Sequence, residues 1–357
     1  MTHKNSIGVA LVPGLTAVFA LLLAFPCFLA VSGCTDNFST PAVDTLVIHQ
    51  RDTTDISSCG WSVSATGTTE TLLAISAPDS NNLFATGTNG LVQRSTNGGA
   101  TWTTLTKPTG TDLYGCFFNS PTDGWVGGGS VNVFDGSAYH TTDGGVSWQS
   151  TVLDPAQFVR HIYFQSPTTG YILTDQDPNS YSSGKIFKTV DGGNTWTMIY
   201  SINQANYGIS FTDALHGVVG GRGGTSISTT DGGVSWSNDA PMSYNAVSGI
   251  AFAPSDPQLG FAASYSSSTM GGVSKTTDGG RTWSSSVDEV FGVYTVVVSN
   301  RAVVACGDGG NVIQSLDLGT TWSSSSISTH RILDAQFVSP SKCVIVGENG
   351  MVAWKSF

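Results

Sequence analysis

The hydrophobic positions of this chain come in short runs separated by turn residues, and one arrangement of runs and turns repeats. An apolar segment such as residues 115–118 is followed by a turn of Ser, Pro, Thr and Gly, then by small and β-branched residues such as 217–220. A glycine-rich turn leads to a third segment, as at residues 91–94, and a fourth begins at a tryptophan. This alternation predicts four antiparallel strands per repeat. Beyond the N-terminal leader, no stretch has convincing helical periodicity.

The third and fourth segments of each repeat are joined by an octad of recurring residue types. Its pattern is Ser/Thr, any residue, Asp, any residue, Gly, any residue, Ser/Thr, Trp, and the first of six copies has asparagine in place of aspartate. Successive octad tryptophans are 46, 48, 40, 47 and 39 residues apart, a spacing typical of solenoids and propellers. The acid or amide and the tryptophan of each copy are Asn97 and Trp102, Asp143 and Trp148, Asp191 and Trp196, Asp231 and Trp236, Asp278 and Trp283, Asp317 and Trp322.

The residue types of the octad are those of a tight turn. Aspartate accepts hydrogen bonds from nearby backbone amides, glycine adopts a positive φ, and tryptophan covers the turn. Because the octads repeat in register, an architectural role is favoured over metal binding or catalysis. The octad resembles the Asp-box, also called the bacterial neuraminidase repeat. This resemblance implies that it lies on the outer hairpin of each propeller blade, away from the binding face.

The number of blades follows from where the octads stop. Six octads predict six blades, yet residues 331–357 contain three further strand-like segments and end before another octad tryptophan. Residues 59–64 can supply the missing fourth strand, with Trp61 in place of an octad tryptophan. We therefore predict an all-β fold, a seven-bladed β-propeller with four-stranded antiparallel blades whose last blade is completed by the N-terminal segment. Such closure removes a free sheet edge.

Two motifs together resemble those of the photosystem II assembly and stability factor family. They are Gly-Trp-Val-Gly at residues 124–127 and the Asp-Gly-Gly-x-Thr-Trp ending of octads such as residues 191–196. The resemblance covers residues 58–357. It implies an exported seven-bladed propeller, lipid-anchored in cyanobacteria, that chaperones a reaction-centre subunit. That family has an arginine patch on its binding face, whereas the arginines here occupy scattered repeat positions, so the resemblance predicts the architecture and not the photosynthetic role.

The N-terminal residues have the composition of an export signal. Lys4 precedes a long apolar run, and small residues then lead directly to Cys34. The ending resembles the lipobox of bacterial lipoproteins, and small residues before the cysteine favour cleavage over a retained membrane-spanning helix. We predict a lipoprotein signal peptide (1–33), lipidation at Cys34, a tether (34–57) and the propeller (58–357). The protein is then expected in the cell envelope, held by lipid at the outer membrane or cell surface.

The charge of the chain excludes one class of partner. Its 357 residues carry a net charge of −11 and no basic stripe, which argues against nucleic acid. The histidines do not cluster, and we predict neither a metal site nor a cofactor. Residues 175–179 resemble the start of a calcium loop but lack the later glycine and acid, which favours an ordinary exposed loop. The repeat register separates the remaining cysteines, which we predict to be free and buried: Cys59, Cys116, Cys306 and Cys343.

The candidate binding residues lie where the innermost strands begin, because propellers bind at the loops into these strands and at the channel mouth. Counting back four residues from the apolar end of each first strand gives Thr71, Tyr114, Arg160, Tyr207, Ser248, Tyr294 and Leu333. His161 and Asp334 occupy the following position. Packing between blades is the alternative role for the tyrosines. The predicted site is a partial ring of Tyr114, Arg160, His161, Tyr207, Tyr294 and Asp334.

These features predict a non-catalytic module that binds a protein partner and is attached to the membrane by its lipid. The first alternative is a carbohydrate-active protein, either a glycan binder or a divergent sialidase-like or glucan glycoside hydrolase, and the second is a structural surface protein with no specific ligand. Glycoside hydrolysis needs two placed carboxylates. The chain has only three glutamates, and most aspartates belong to octads or turns. The carboxylates left unassigned are Asp112, Asp213, Asp288 and Asp334.

Overall fold

The structure is a computed structural model, and it describes residues 37–38, 59–129, 136–153, 158–175, 184–202, 204–239, 246–267, 270–289 and 291–357. The predicted signal peptide, the lipidation site Cys34 and all but two residues of the predicted tether lie outside these ranges. Within the ranges, no helix has the length and apolar character needed to cross a membrane. Two short 3-10 turns, Thr88–Gly90 and Asp308–Gly310, are found in the described part of the chain.

The described residues form seven antiparallel sheets, each of which is one blade of a propeller. Two short strands precede the first complete blade: β1 (Asn37–Phe38) and β2 (Ser62–Ser64). The first blade contains β3 (Leu72–Ser76), β4 (Leu83–Gly87), β5 (Val92–Ser95) and β6 (Thr103–Thr104). The second contains β7 (Leu113–Phe118), β8 (Gly124–Gly128), β9 (Ser137–Thr141) and β10 (Gln149–Val152). The third contains β11 (Phe158–Phe164), β12 (Gly170–Asp175), β13 (Gly184–Thr189) and β14 (Thr197–Ile202).

The remaining blades follow the same order. The fourth contains β15 (Asn206–Phe211), β16 (Gly217–Gly221), β17 (Ser226–Thr229) and β18 (Ser237–Asn238). The fifth contains β19 (Ala246–Ala253), β20 (Asp256–Ser267), β21 (Met270–Thr276) and β22 (Ser284–Glu289). The sixth contains β23 (Val293–Val298), β24 (Val303–Gly307), β25 (Asn311–Ser315) and β26 (Trp322–Ser326). The seventh contains β27 (Ile332–Ser339), β28 (Lys342–Gly347) and β29 (Val352–Ser356).

The hydrophobic core lies between adjacent blades and is centred on the second strand of each. All residues of β4, β8, β12, β16 and β24 are buried. A second strand has a neighbouring strand on each side and a neighbouring blade on each face, so small and β-branched residues suit it on both faces. This explains the low polarity of these segments in the sequence.

The seventh blade is completed by β2, as the sequence predicts. Ser62, Val63 and Ser64 pair antiparallel with Trp354, Ala353 and Val352 of β29. Next to this strand, Trp61 is only 2% exposed and packs in a cluster with residues of the sixth and seventh blades. The all-β class, the seven blades and their closure by the N-terminal segment are therefore confirmed.

The sixth blade carries one strand more than expected. Asn37 and Phe38 pair with Ser323 and Trp322, so β1 adds a fifth, outermost strand to β26. These two residues belong to the predicted tether.

Each octad forms the hairpin between the third and fourth strands of its blade. In the second blade, Oδ1 of Asp143 accepts hydrogen bonds from the backbone N–H groups of Val146 (3.0 Å) and Ser147 (2.9 Å) and from the Thr141 hydroxyl (2.8 Å). The sequence pattern allows any residue at the fourth octad position, but the structure restricts it, because this residue has a positive φ in all six copies. Its residues are Gly98, Gly144, Gly192, Gly232, Gly279 and Leu318.

The octads and the starts of the innermost strands lie on opposite faces of the propeller. In an antiparallel blade, the hairpin between third and fourth strands lies on the same side as the turn between first and second. The backbone N–H of Gly144 in an octad accordingly donates to Thr122 O in such a turn (2.9 Å). The other face carries the connections between blades and the starts of the innermost strands.

Candidate functional site

The innermost strands share one irregularity, a β-bulge near their start. In all seven blades the register with the second strand shifts by one residue at this point. A bulge leaves one residue out of the ladder and re-aims its side chain. We call these residues the bulge ring; all seven are half-buried and line the central channel: Leu73, Tyr114, Arg160, Tyr207, Ser248, Tyr294 and Leu333.

The bulge ring contains six of the seven positions that the sequence comparison aligned. The assignment of Thr71 to this position in the first blade is wrong, because the bulge residue there is Leu73. In the first blade the residue four positions after the bulge is Ala77, which is small, so Ile75 was mistaken for the apolar end of the strand. His161 and Asp334 follow the bulge directly in the third and seventh blades and also line the channel.

Arg160 is surrounded by aromatic rings of its own and adjacent blades. Its guanidinium carbon lies 4.7 Å from the ring centre of Phe158, 5.4 Å from that of Tyr114 and 5.6 Å from that of Tyr207. These distances are those of cation–π contacts. The guanidinium also forms an ion pair at 3.7 Å with Asp175, whose side chain is fully buried. Asp175 begins the segment that resembles a calcium loop, and the structure places its carboxylate against Arg160.

A second aromatic group lies on the other side of the bulge ring, in the fifth and sixth blades. The rings of Tyr265 and Tyr294 meet edge to face at 5.2 Å. The Tyr294 hydroxyl donates a hydrogen bond to Oδ2 of Asp308 at 2.9 Å. Burial, together with this bond, raises the pKa of Tyr294. Similarly, the Tyr114 hydroxyl donates to Asp112 at 3.3 Å, and burial, followed by the charge of Asp112, raises its pKa.

Asp334 connects three blades through its carboxylate. Oδ2 accepts a hydrogen bond from the backbone N–H of Ile75 in the first blade (2.9 Å). Oδ1 accepts from the Ala335 N–H (2.8 Å) and from the Thr295 hydroxyl in the sixth blade (3.3 Å). Burial outweighs these bonds and raises the pKa of Asp334 to about 6. The carboxylate therefore helps to join the innermost strands at the place where the two ends of the propeller meet.

His161 occupies the equivalent position in the third blade. Burial lowers the pKa of its imidazole to about 4, so the side chain is neutral at neutral pH. It adds a polar but uncharged group to the channel wall.

The channel is a cavity of about 890 Å³ lined by the innermost strands of all seven blades. Just below the bulge ring, small residues allow neighbouring strands to approach closely. A Cβ at Gly208 would lie 3.3 Å from Cα of Gly249, and a Cβ at Gly115 would lie 2.9 Å from the Ile162 side chain. Bulky side chains therefore concentrate at the bulge ring and at the opposite opening, where Phe117 and Tyr163 are neighbours.

A second depression, of about 690 Å³, lies where the N-terminal strand joins the seventh blade. Its carboxylates already have partners within the protein. Glu348 pairs with Arg331 at 2.6 Å, and Glu70 accepts from Thr88 and from Asn89. We therefore take the channel with its bulge ring as the candidate site.

The four carboxylates that kept a hydrolase in consideration do not all lie at one place, and only Asp112 and Asp334 are near the channel mouth. Asp213 lies in the turn between β15 and β16, on the face of the octads, and accepts from the backbone of Leu215 and His216. Asp288 lies on β22, an outermost strand, whereas Asp334 lies on an innermost strand and Asp112 immediately precedes one. Among the described residues, no group of three or more His, Cys, Asp or Glu side chains could hold a metal ion.

The cysteines correct one prediction. Cys116, Cys306 and Cys343 are free and buried, as expected. Cys59 is disulfide-bonded and therefore not free. The repeat register could not anticipate this bond, because Cys59 lies at the entry to the propeller, beyond the reach of the repeat.

Three participants in the site were missed by the sequence comparison: Leu73, Tyr265 and Asp308. Tyr265 lies on a second strand, so an alignment of first strands alone could not include it. Asp308 opens the turn between β24 and β25, the position taken by Glu348 in the seventh blade, and aligning those turns would have found it.

Seven blades around a lined channel, with a ring of bulge residues at one mouth, define a seven-bladed β-propeller. Solved structures share this fold. YCF48 bound to a D1 peptide is 20% identical, with a TM-score of 0.67 over 89% of this chain and 100% of that one. YCF48 from Cyanidioschyzon merolae is also 20% identical, with a TM-score of 0.64 over 83% and 98%.

The likeness extends to propellers of other repeat types. The WD40 β-propeller domain of Doa1 is 13% identical, with a TM-score of 0.64 over 83% of this chain and 96% of that one. Identities this low show the fold alone. No protein-family model and no curated protein sequence matches the chain.

Proposed function

We propose that the protein is a non-catalytic binding module that takes up a segment of a partner protein at the bulge ring. The observation that carries this proposal is the set of Tyr and Arg side chains that one repeated backbone irregularity aims into the same channel mouth. Tyrosine and arginine are the residues most enriched at the energetic centres of protein interfaces. YCF48, which shares this fold, has been solved with a bound peptide.

The proposal includes the way the module is held in place. The octads are Asp-boxes, the export signal is removed before Cys34, and a lipid on that cysteine anchors the propeller in the cell envelope. The support is the small residues and cysteine that end the apolar leader. A Cys34→Ser variant should leave the membrane fraction and lose incorporation of labelled fatty acid. Unchanged membrane retention would contradict the anchor.

The binding surface is tested by removing aromatic side chains while keeping Arg160. An Arg160→Ala change would remove an ion-pair partner of the buried Asp175 carboxylate, which is destabilising. We therefore replace Tyr114, Tyr207 and Tyr294 together by Ala. The variant should keep its circular dichroism spectrum and lose the partner that the wild-type protein captures from membranes of its own organism.

A matched control changes three exposed residues on the opposite face. Val146, Val190 and Val234 are 68%, 67% and 79% exposed, and all three belong to octads. Replacing them together by Ser should leave capture unchanged. If the tyrosine variant captures the same proteins as the wild type, the bulge ring is not the binding surface.

Glycan binding is the second candidate, because tyrosine faces can also stack on sugar rings and Asp112, Asp308 and Asp334 could accept hydrogen bonds from their hydroxyls. A glycan array separates the two candidates. Specific glycan signals that are lost in the tyrosine variant would favour this second function, and turnover of fluorogenic glycosides would add catalysis to it.

A further inference from the structure

We propose that the bulge ring binds a lysine or arginine side chain carried by an extended segment of the partner. This inference rests on the proposed function and specifies the chemistry of its ligand. It follows from the charges around the mouth, from the tyrosine faces and from the room in the channel.

Two arginines near the mouth have carboxylate partners. Arg160 pairs with the buried carboxylate of Asp175 and is packed among three aromatic rings. Arg331 pairs with Glu348 at 2.6 Å. Since each guanidinium has a carboxylate partner, neither adds an unbalanced positive charge that would attract an acidic ligand.

The carboxylates at the mouth are not balanced in this way. Asp112 and Asp308 accept hydrogen bonds from tyrosine hydroxyls, and Asp334 accepts from backbone N–H groups and a threonine hydroxyl. These bonds are to neutral donors. In the part of the chain that the structure describes, none of the three carboxylates forms an ion pair with a lysine or arginine. These three carboxylates therefore bring negative charge to the mouth, in line with the net charge of −11.

The tyrosines present surfaces that suit a cation. Tyr114 and Tyr294 donate their hydroxyl hydrogens to carboxylates, which increases the electron density of the phenol rings. A cation above such a ring gains a cation–π contact in addition to the attraction of the carboxylate behind it. The packing of Arg160 on Tyr114 and Tyr207 shows that tyrosines of the bulge ring accept a guanidinium.

Another acid lies on the same side of the fifth blade as Tyr265. Tyr265 is paired with Gly271, and Gly271 with Glu289, so Tyr265 and Glu289 project from the same side of the fifth blade with a glycine between them. A Cβ at Gly271 would collide with backbone of Phe291 and Val293, so this side of the sheet faces the sixth blade. Glu289 is thus a half-buried acid on this side of the fifth blade, one strand further out than Gly271.

The cavity has room for the proposed ligand. Its volume of about 890 Å³ exceeds that of one long basic side chain, so part of the backbone that carries the side chain can enter as well. A glutamate or aspartate in the same place would be put beside Asp112, Asp308 and Asp334. Charge complementarity therefore selects a basic segment.

The experiment measures which peptides the mouth prefers. The full-length protein is applied to an array of random heptapeptides in parallel with two variants: the triple Tyr114→Ala, Tyr207→Ala, Tyr294→Ala, and the double Asp308→Asn, Asp334→Asn. Asp213→Asn, a carboxylate-to-amide change on the opposite face, is the matched control. Peptides that the wild type selects are then measured by fluorescence anisotropy with their Arg replaced by citrulline, or their Lys by norleucine.

We expect selected peptides rich in Lys or Arg, and an affinity that falls about tenfold when the charge is removed. The aspartate double variant should lose this preference, and Asp213→Asn should keep it. Selection of acidic or uncharged peptides that still depends on the three tyrosines would overturn this inference and leave the proposed function standing. Absence of any tyrosine-dependent selection would contradict both.

Discussion

The octads and the bulges of the innermost strands both recur from blade to blade, but the octads repeat side chains whereas the bulges repeat only a backbone geometry. In the octads, the same side chains make the same bonds. Asp143, Asp191 and Asp231 each accept from the N–H and the hydroxyl of the Ser or Thr four residues later. In the bulge ring, the backbone irregularity is constant and the side chains range from Leu to Tyr to Arg. A repeat can therefore fix the scaffold at one face and leave the side chains at the other face free to specify a ligand.

The comparison predicts that outer residues mainly carry stability. Trp61 is the residue of the seventh blade that stands where the other blades have an octad tryptophan, and it is 2% exposed. Replacing it by Ala removes a large buried side chain at the closure. We expect the free energy of unfolding to fall by about 3–5 kcal/mol in urea titrations.

Trp148, a half-buried octad tryptophan, is the control for this change. Its indole N–H donates to Thr106 O in the preceding blade at 3.0 Å, and part of its ring faces solvent. Trp148→Ala should therefore cost clearly less than Trp61→Ala. Equal effects would mean that closure by the N-terminal segment contributes nothing special to stability.

The carboxylates of the two regions predict opposite responses to pH. Bonds to Ser147 and Thr141 lower the pKa of Asp143 to about 2, whereas burial raises that of Asp334 to about 6. A raised carboxyl pKa means that the folded state binds a proton which the unfolded state, with a pKa near 3.8, does not yet hold. Stability from this group therefore increases as the pH falls from 7 to 4. Below pH 4, protonation of the octad aspartates reduces stability again.

The Asp334→Asn variant lacks the titrating carboxyl group, so comparing it with the wild type isolates the pH-dependent stability that comes from Asp334. Protonation of Asp334 changes the free energy of unfolding by up to about 3 kcal/mol, the equivalent of its pKa shift. The wild type should gain stability relative to the variant as the pH is lowered from 7 to 4 in urea titrations. The groups around Asp334 that can ionise are the buried thiols of Cys116, Cys306 and Cys343, which remain protonated over this range. A constant difference between the two proteins would show that Asp334 has an ordinary pKa.

The smallest expected effects concern single octads. Asp143→Ala removes the acceptor of several hydrogen bonds, and the urea midpoint should fall. The reverse change is available in the first octad, where Asn97 accepts from the Thr101 N–H but donates to its hydroxyl. Asn97→Asp restores the charged acceptor of the other octads and should raise the midpoint slightly. Both variants should bind the partner like the wild type, and loss of binding in either would remove the distinction between the two faces.

The sequence was most informative where side chains repeat. The octads have a fixed pattern, so their spacing and the missing seventh copy were enough to predict the blade number and the closure. The bulges are set by backbone geometry, and they were aligned only because most first strands end in a large apolar residue. That marker failed in the first blade, where Ala77 replaces it and Thr71 was selected in place of Leu73.

Side-chain contacts between different strands could not be predicted from the sequence pattern. The pairing of Arg160 with Asp175 depends on how the third blade folds back on itself, and nothing in the spacing marks Asp175 as its partner. The contact of Tyr265 with Tyr294 joins a second strand to the first strand of the next blade. Such pairs are set by the packing of blades around the channel.

The closure of the seventh blade also determines when the propeller can close during folding. A ribosome delivers β2 first, whereas its pairing partner β29 is the last of the described strands to be made. The ring therefore stays open until β29 has been synthesised, with the edge of the first sheet and of each new sheet unprotected meanwhile. Since contacts of such long sequence separation form slowly, closure is expected to be a late step of folding, and a holding chaperone should increase the yield.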